Sequence, residues 1–238
     1  MGGVLTRDRA RQRLRAYVAR VQEQENTPGR RRIMQAVLTV AVGQGAAALS
    51  MRAIARELGM QPASLYSHFH GGKEEILEQT LRWNYIEFLD TLLASVPDGA
   101  EAVDEFRGIV AGQINFQMDS SWQNLFEALV VADRMGQFLS ASARETVTEL
   151  RGMYLDYIEA VVIDISPGPV TRARSWAVVN FLNDISSFAA LLPGEATRAE
   201  LVDHALACAL GVIRAADPGE RAAGTSRLAE DRDTSRTA

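Results

Sequence analysis

The sequence predicts an all-α protein in two parts, an N-terminal helix-turn-helix three-helix domain followed by a larger C-terminal helical domain. Three observations carry that expectation. Apolar residues recur at offsets of three and four through most of residues 28–215, while strand-like apolar character is confined to the short run 161–165, whose length and context assign it to a helix end. Proline and glycine fall between those periodic segments, at Pro97-Asp98-Gly99, Pro167-Gly168-Pro169 and Pro193-Gly194. Residues 50–77 hold two short helical patterns joined by a tight turn, followed by a glycine pair that opens a long third pattern. With 238 residues and 47% hydrophobic content, the chain is long enough for a small domain plus one sizeable core.

The elements follow in order. Residues 5–25 place Leu14, Val18 and Val21 on one helical face, with Arg7, Arg9, Arg11, Arg13, Arg15 and Arg20 around the rest. Thr27 is an N-cap and Pro28 a first helical residue, starting a helix that runs to about Ala46. The long pattern from Lys73 to Val96 carries Ile76, Leu77, Leu81, Tyr85, Phe88, Leu89, Leu92 and Leu93 at helical spacing, so one helix leaves the first domain and enters the second. Further helices are expected at about 100–118, 120–138, 141–164, 168–192 and 196–215. The segment 217–238 is rich in Arg, Asp, Ser, Thr, Ala and Gly, buries little surface and reads as a disordered tail. The expected divisions are a basic N-terminal extension over 1–26, the helix-turn-helix domain over 27–82, the larger domain over 83–216, and the tail.

Within residues 50–77, Ser50 is a good N-cap, Ile54 and Leu58 form an apolar stripe, and Gly59 stands where a helix closes in a left-handed conformation. Pro62, Leu65 and Phe69 share one face of the next helix. Ala63, Ser64, Tyr66, Ser67 and His68 are left facing outward, a surface of little use to a core and suited to the second helix of a DNA-reading pair. Short side chains at Ala63, Ser64 and Ser67 let the helix backbone approach base edges, with Gln61 and Pro62 at the helix entry, while Arg52, Tyr66, His68 and Lys73 suit phosphate. Arg30 leads three consecutive arginines in a first helical turn, where the helix dipole disfavours cations. Phosphate oxygens would offset that cost.

The run Ile54-Ala55-x-x-Leu58-Gly59, Ser64-Leu65-Tyr66-x-His68-Phe69 and Lys73-Glu74-Glu75-Ile76-Leu77 resembles the DNA-binding domain of the TetR family of bacterial transcriptional regulators, over about residues 28–90. Family members commonly have two residues between the Phe and the Lys; here there are three, His70-Gly71-Gly72. The resemblance implies a homodimeric regulator, most simply a repressor, that binds a palindromic operator in double-stranded DNA. It also implies that the positions of Tyr66, His68 and Lys73 act mainly on the DNA backbone.

The net charge of -5 is divided unevenly. Residues 1–82 carry 12 Arg and Lys73 against 7 acidic residues, so +6, leaving -11 for the remainder. A basic first part and an acidic second would orient the molecule on a duplex. The extension over 1–26 reads either as an extra helix, as a basic arm that orders on DNA, or as a solvated leader.

The larger domain is expected to bind a small apolar or amphipathic effector and to form the dimer. Phe106, Gln113, Phe116, Trp122, Phe126, Met135, Tyr154 and Tyr157 mix aromatics and sulfur with isolated polar groups, a composition that lines apolar cavities and also ordinary cores. Asn180 and Asp184, four apart on an apolar helix, need partners if buried. Residues 170–192 and 201–213 are apolar on more than one face, and a helix of that kind needs two neighbours. The resemblance places the dimer there, with Trp176, Phe181, Phe188, Leu201, Ala205, Cys208 and Ala209 as its candidates.

An enzyme is not expected. His204 and Cys208 share a helix face but make at most half a metal site, no phosphate-cradling glycine loop is present, and no Ser/His/Asp set has local support. No cofactor and no metal are expected. The single cysteine and the absence of a membrane-length apolar run or signal peptide suggest a cytoplasmic protein. The competing function is a helix-turn-helix regulator without a small-molecule effector, controlled by a protein partner.

Overall fold

The computed structural model describes residues 5–23, 27–119, 129–130, 133, 139–192, 194 and 196–215. The helix expected at 120–138 and the tail from 217 lie largely outside them. Among the described residues the chain is helical, without a strand. In order the helices are α1 (Arg7–Glu23), α2 (Pro28–Gln44), α3 (Met51–Leu58), α4 (Pro62–Tyr66), α5 (Gly72–Ala94), α6 (Ala102–Asp119), α7 (Ala141–Ile165), α8 (Thr171–Asn183), α9 (Ile185–Ala189) and α10 (Arg198–Ile213). No helix among the described residues is long and apolar enough to cross a membrane.

The local starts follow their caps. Thr27 accepts from the Arg30 amide ahead of α2, Ser140 from Ala143 ahead of α7, and Thr197 and Glu200 form a reciprocal capping box at α10. The helix expected at 168–192 is broken at Asp184, which leaves the helical region and separates α8 from α9. Apolar periodicity runs unbroken across that point, so the pattern alone gave no sign of it.

α5 is the shared element. Near its start Glu75 and Gln79 meet Arg30 of α2, Glu78 and Arg82 meet Ser142 and Thr146 of α7, and its last turns run against α6. The crossing with α6 depends on glycine. A Cβ on Gly112 would lie 2.7 Å from Leu92 Cα, and one on Gly108 2.7 Å from the Ser95 carbonyl oxygen, so the two backbones touch where no side chain fits.

The N-terminal extension corrects the arm reading. Leu14 and Val18 are buried, and α1 lies against α7 and α5. Two of its arginines turn inward, while Arg9, Arg13, Arg15 and Arg20 are exposed: Arg11 is 6% exposed, donates to the Pro97 carbonyl at 3.1 Å and pairs with Asp98, and Arg7 donates to the Ala100 carbonyl at 2.9 Å. Arg7 also pairs at 3.0 Å with Glu105, a carboxylate 1% exposed that accepts the Tyr157 hydroxyl at 2.6 Å. These cations therefore satisfy the carbonyls and carboxylates at the far end of α5, about 34 Å of helix away from α4. A buried acid needs such partners, which is why the basic helix is held here. Half of the +6 counted over residues 1–82 belongs to this extension, six arginines against Asp8, Glu23 and Glu25, and Arg7, Arg11, Arg13 and Arg15 face carboxylates at Asp98, Glu105, Asp156 and Asp164.

Candidate nucleic-acid interface

The site is built on a short helix that cannot hold itself. Ser50 Oγ accepts from the Ala53 amide at 3.1 Å to start α3, and Gly59, at φ 64°, ends it, with the Met60 amide bonding back to the Ala55 carbonyl at 3.0 Å. The turn leads through Gln61 into Pro62, and α4 spans five residues without a side-chain N-cap. Such a helix is too short to be stable alone. Leu65 and Phe69, both fully buried, anchor it to the core, and Ser67 Oγ donates to the Ser64 carbonyl at 2.8 Å.

The opposite face is open. Gln61, Ala63, Ser64, Tyr66 and Ser67 are exposed, Pro62 and His68 are half-buried. Tyr66, 48% exposed, lays its ring against Gly72, where a Cβ would sit 3.3 Å from Cε1. Gly72 has φ 64°, so the longer His70-Gly71-Gly72 connection is accommodated by a left-handed residue immediately under the tyrosine. The His68 ring covers the first turn of α2, since a Cβ on Gly29 would meet its Cε1 at 2.9 Å. Arg52 is exposed and Lys73 half-buried at the start of α5.

Arg30 departs from the expectation of a phosphate contact. Its side chain is 22% exposed, its guanidinium lies 4.1 Å from the Phe69 ring centroid, Nη1 donates to the His68 carbonyl, and Nη2 donates to Glu75 Oε1 at 3.2 Å and Gln79 Oε1 at 2.5 Å. The dipole cost of a cation in this first turn is thus offset inside the protein. Arg31 and Arg32 are exposed, and no ion pair or side-chain hydrogen bond engages either among the described residues. Helical periodicity held the signal for this exchange: Arg30 shares its face with the buried Ile33, Met34 and Val37, three, four and seven residues on.

In the second domain, a cleft of about 220 Å³ opens between α5, α7 and α8, lined by Tyr85, Arg151, Gly152, Tyr154, Leu155, Trp176, Val179, Asn180 and Asn183. Of the expected effector contacts, Tyr154 and Asn180 line it. Tyr154 donates its hydroxyl to Gln113 Oε1 at 3.2 Å, and Gln113 Nε2 reaches Asn183 Oδ1 at 3.4 Å, so Gln113 stands behind the wall. Phe116 packs on Phe88, which meets Tyr154 edge-on at 5.2 Å, forming an aromatic floor. Burial raises the pKa of both Tyr154 and Tyr157, keeping the hydroxyls protonated donors. Phe106 and Tyr157 are not among the residues that line this cleft; both are fully buried, and Tyr157 donates its hydroxyl to Glu105. Asp184 is exposed at the helix break, and Asn180, half-buried, donates from Nδ2 to the Trp176 carbonyl at 2.7 Å, so the condition of burial that would demand partners for the two is not met. Trp122, Phe126 and Met135 lie outside the described residues. Asn183, Arg151 and Tyr85 were not anticipated; they sit on segments whose apolar pattern masks isolated polar groups. A second cleft, about 380 Å³ between Val130, Leu139, Val147 and Arg151, is closed on one side by the Asp133–Arg144 ion pair at 2.7 Å.

The dimer candidates split. Trp176 is 59% exposed, Cys208 is exposed, and Phe181 and Phe188 stack edge-on at 5.1 Å, half-buried. Leu201, Ala205 and Ala209 are corrected: they are buried within the protomer on the inward face of α10, which packs on α6 and α8. The outward face of α10 carries Ala207, Cys208, Gly211 and Val212 instead. A helix apolar all round does not reveal from its sequence which stripe turns inward.

Residues 33–80 match the family model of bacterial regulatory proteins of the tetR family. No curated protein sequence matches the chain. Among solved structures, the fold is similar to a tetR-family regulatory protein from Rhodococcus RHA1, with 18% identity, TM-score 0.67, 81% of this chain and 100% of that one. It is also similar to the fatty acid degradation regulator FadR from Bacillus halodurans, with 14% identity, TM-score 0.61, 81% and 100% coverage. A third is AibR in complex with isovaleryl coenzyme A and operator DNA, with 17% identity, TM-score 0.61, 75% and 96% coverage.

Proposed function

We propose, for a chain whose residues 33–80 are the helix-turn-helix domain of the bacterial tetR family of regulatory proteins, that it is a homodimeric transcriptional repressor released from a palindromic operator by a small apolar or amphipathic molecule. The observation that carries this reading is the divided surface of α4: Leu65 and Phe69 are fully buried, while Ala63, Ser64, Tyr66 and Ser67 stand in solvent. In this reading Ala63, Ser64 and Ser67 approach base edges, and Tyr66, Lys73, Arg52 and His68 meet phosphate, joined by Arg31 and Arg32. Few of these side chains reach far into a groove, so DNA shape supplies part of the specificity.

The dimer forms through the outward faces of α8 and α10, bringing two copies of α4 about 34 Å apart, one turn of duplex. The effector occupies the α5–α7–α8 cleft, where Tyr154, Trp176 and Val179 offer apolar surface and Asn180 and Asn183 offer hydrogen bonds. Tyr85 belongs to α5, some 20 Å of continuous helix from the α4 end. A ligand that favours one pose of α5 therefore shifts the population of the two α4 helices away from operator spacing. Control by a protein partner is the second reading, favoured by the α5–α7–α8 cleft, which at about 220 Å³ is smaller than the usual ligand range of about 300–1,000 Å³, whereas the neighbouring cleft of about 380 Å³ falls within it.

Selection from random duplex DNA at near-physiological salt tests the proposal. An enriched palindrome with half-sites about one turn apart is expected; recovery of no sequence preference would overturn it. With that duplex in hand, an effector must raise the melting temperature and lower operator affinity together.

A further inference from the structure

We infer that Arg30 is a positioning residue for DNA reading: it holds the C-terminal end of the recognition helix α4 in register with α5 and makes no phosphate contact itself. The inference rests on the DNA-reading role of α4. A helix of five residues has no intrinsic stability, and α4 has no side-chain N-cap. Its orientation must come from groups outside it: Leu65 and Phe69 seat it in the core, Tyr66 lies against Gly72 and the His68 ring lies over Gly29.

Arg30 adds the polar constraint that links this end of α4 to α5. One arm of its guanidinium takes the His68 carbonyl, just past the end of α4, and the other is shared between Glu75 Oε1 and Gln79 Oε1, one turn apart on α5. The flat face of the same group covers the Phe69 ring at 4.1 Å. Glu75 in turn accepts the Gly71 amide at 2.8 Å through Oε2 and the Gln79 amide group at 3.2 Å through Oε1. One carboxylate thus binds the connection between α4 and α5 while it neutralises Arg30. The planar fork is what allows a single side chain to serve a carbonyl, two side-chain oxygens and a ring face; a lysine ammonium has neither the plane nor the reach in two directions. Since Glu75 compensates its charge inside the protein, Arg30 has little to offer in counterion release. The exposed neighbours Arg31 and Arg32 are the free cations of this turn.

The consequence concerns coupling as well as reading. Movement of α5 reaches α4 through Glu75, Gln79 and the His68 carbonyl, so the pose of the recognition helix follows that of the helix shared with the second domain.

The test compares binding to the selected palindrome with binding to a scrambled duplex of the same length, each over a salt series, for wild type, Arg30→Ala, Arg30→Lys, Gln79→Ala and Arg31→Ala. Arg30→Ala is expected to lower palindrome affinity at least tenfold, about 1.4 kcal/mol, with scrambled-duplex affinity and salt slope unchanged. Arg30→Lys is expected to behave like Arg30→Ala, and Gln79→Ala to move in the same direction by a smaller factor. Arg31→Ala is expected to weaken both duplexes alike and reduce the salt slope by about one. The inference is overturned if Arg30→Ala weakens both duplexes equally with a reduced slope and Arg30→Lys restores them, or if palindrome affinity is unchanged. In the DNA-free protein, amide exchange across residues 65–69 should accelerate in Arg30→Ala while α3 keeps its protection; unchanged exchange also overturns it. Failure of the wild type to select any sequence would sink the DNA-reading premise, leaving the exchange measurement to decide whether Arg30 holds the helix. Arg30→Lys and Gln79→Ala carry both readouts should Arg30→Ala fail to fold.

Discussion

Ser142 at the start of α7 donates its hydroxyl to Glu78 on α5 at 2.8 Å, and the same carboxylate takes Arg82 at 3.0 Å, whose guanidinium reaches Thr146 at 3.2 Å. This polar seam joins the part of α5 that packs on α2 to the first turns of the second domain's longest helix. A double-mutant cycle on Ser142→Ala and Glu78→Ala is expected to give a coupling of about 0.5–1 kcal/mol in urea unfolding, because the pair is only partly shielded from solvent. Additive single mutants would remove the seam from any account of communication between the domains.

The α5–α6 crossing predicts a steric asymmetry between two glycines. Gly112→Ala forces a methyl to 2.7 Å from the Leu92 backbone and is expected to lose about 1–3 kcal/mol of stability. Gly211→Ala, with nothing within 4 Å of the added Cβ, should gain about 0.5–1 kcal/mol in the isolated protomer. Equal effects in thermal unfolding would contradict the backbone contact described at Gly112.

The exposed stripe of α10 predicts where association can be broken selectively. Val212, 39% exposed, carries an arginine substitution without disturbing the protomer, so Val212→Arg is expected to yield folded monomers in sedimentation equilibrium with weakened operator binding. Leu201→Ala, at a buried site, should instead cost about 2–5 kcal/mol of folding stability and leave the association of the folded fraction intact. A dimeric Val212→Arg protein would move the interface elsewhere.

The hold of α1 on the α5–α6 connection should weaken in acid. A hydrogen bond from Arg15, then its charge and that of Arg11, hold the Asp98 carboxyl below the usual carboxylate range. A depressed carboxylate contributes stability that is full above the unfolded-state value of 3.8 and is lost as pH falls through the lower folded value. Melting temperature measured from about pH 6 to pH 3 should therefore fall more steeply in wild type than in Asp98→Asn, the gap between the curves narrowing toward acid. Parallel curves would show that Asp98 does not contribute.

The helical class, the caps at Ser50 and Thr27, the left-handed close at Gly59 and the outward face of α4 are legible in the linear sequence. Each of these depends on interactions within about four residues, which a linear pattern records directly. What the cations do is set by contacts that are distant along the chain. Arg30 and the α1 arginines look alike in sequence, as free positive charge awaiting phosphate, yet their partners Glu75, Gln79, Asp98 and Glu105 lie more than forty residues away along the chain. The same reason governs α10, where Leu201, Ala205 and Ala209 turn inward and Cys208 and Val212 outward. When a helix is apolar on more than one face, burial is assigned by the neighbours it meets, and those neighbours are set by the fold of the whole chain.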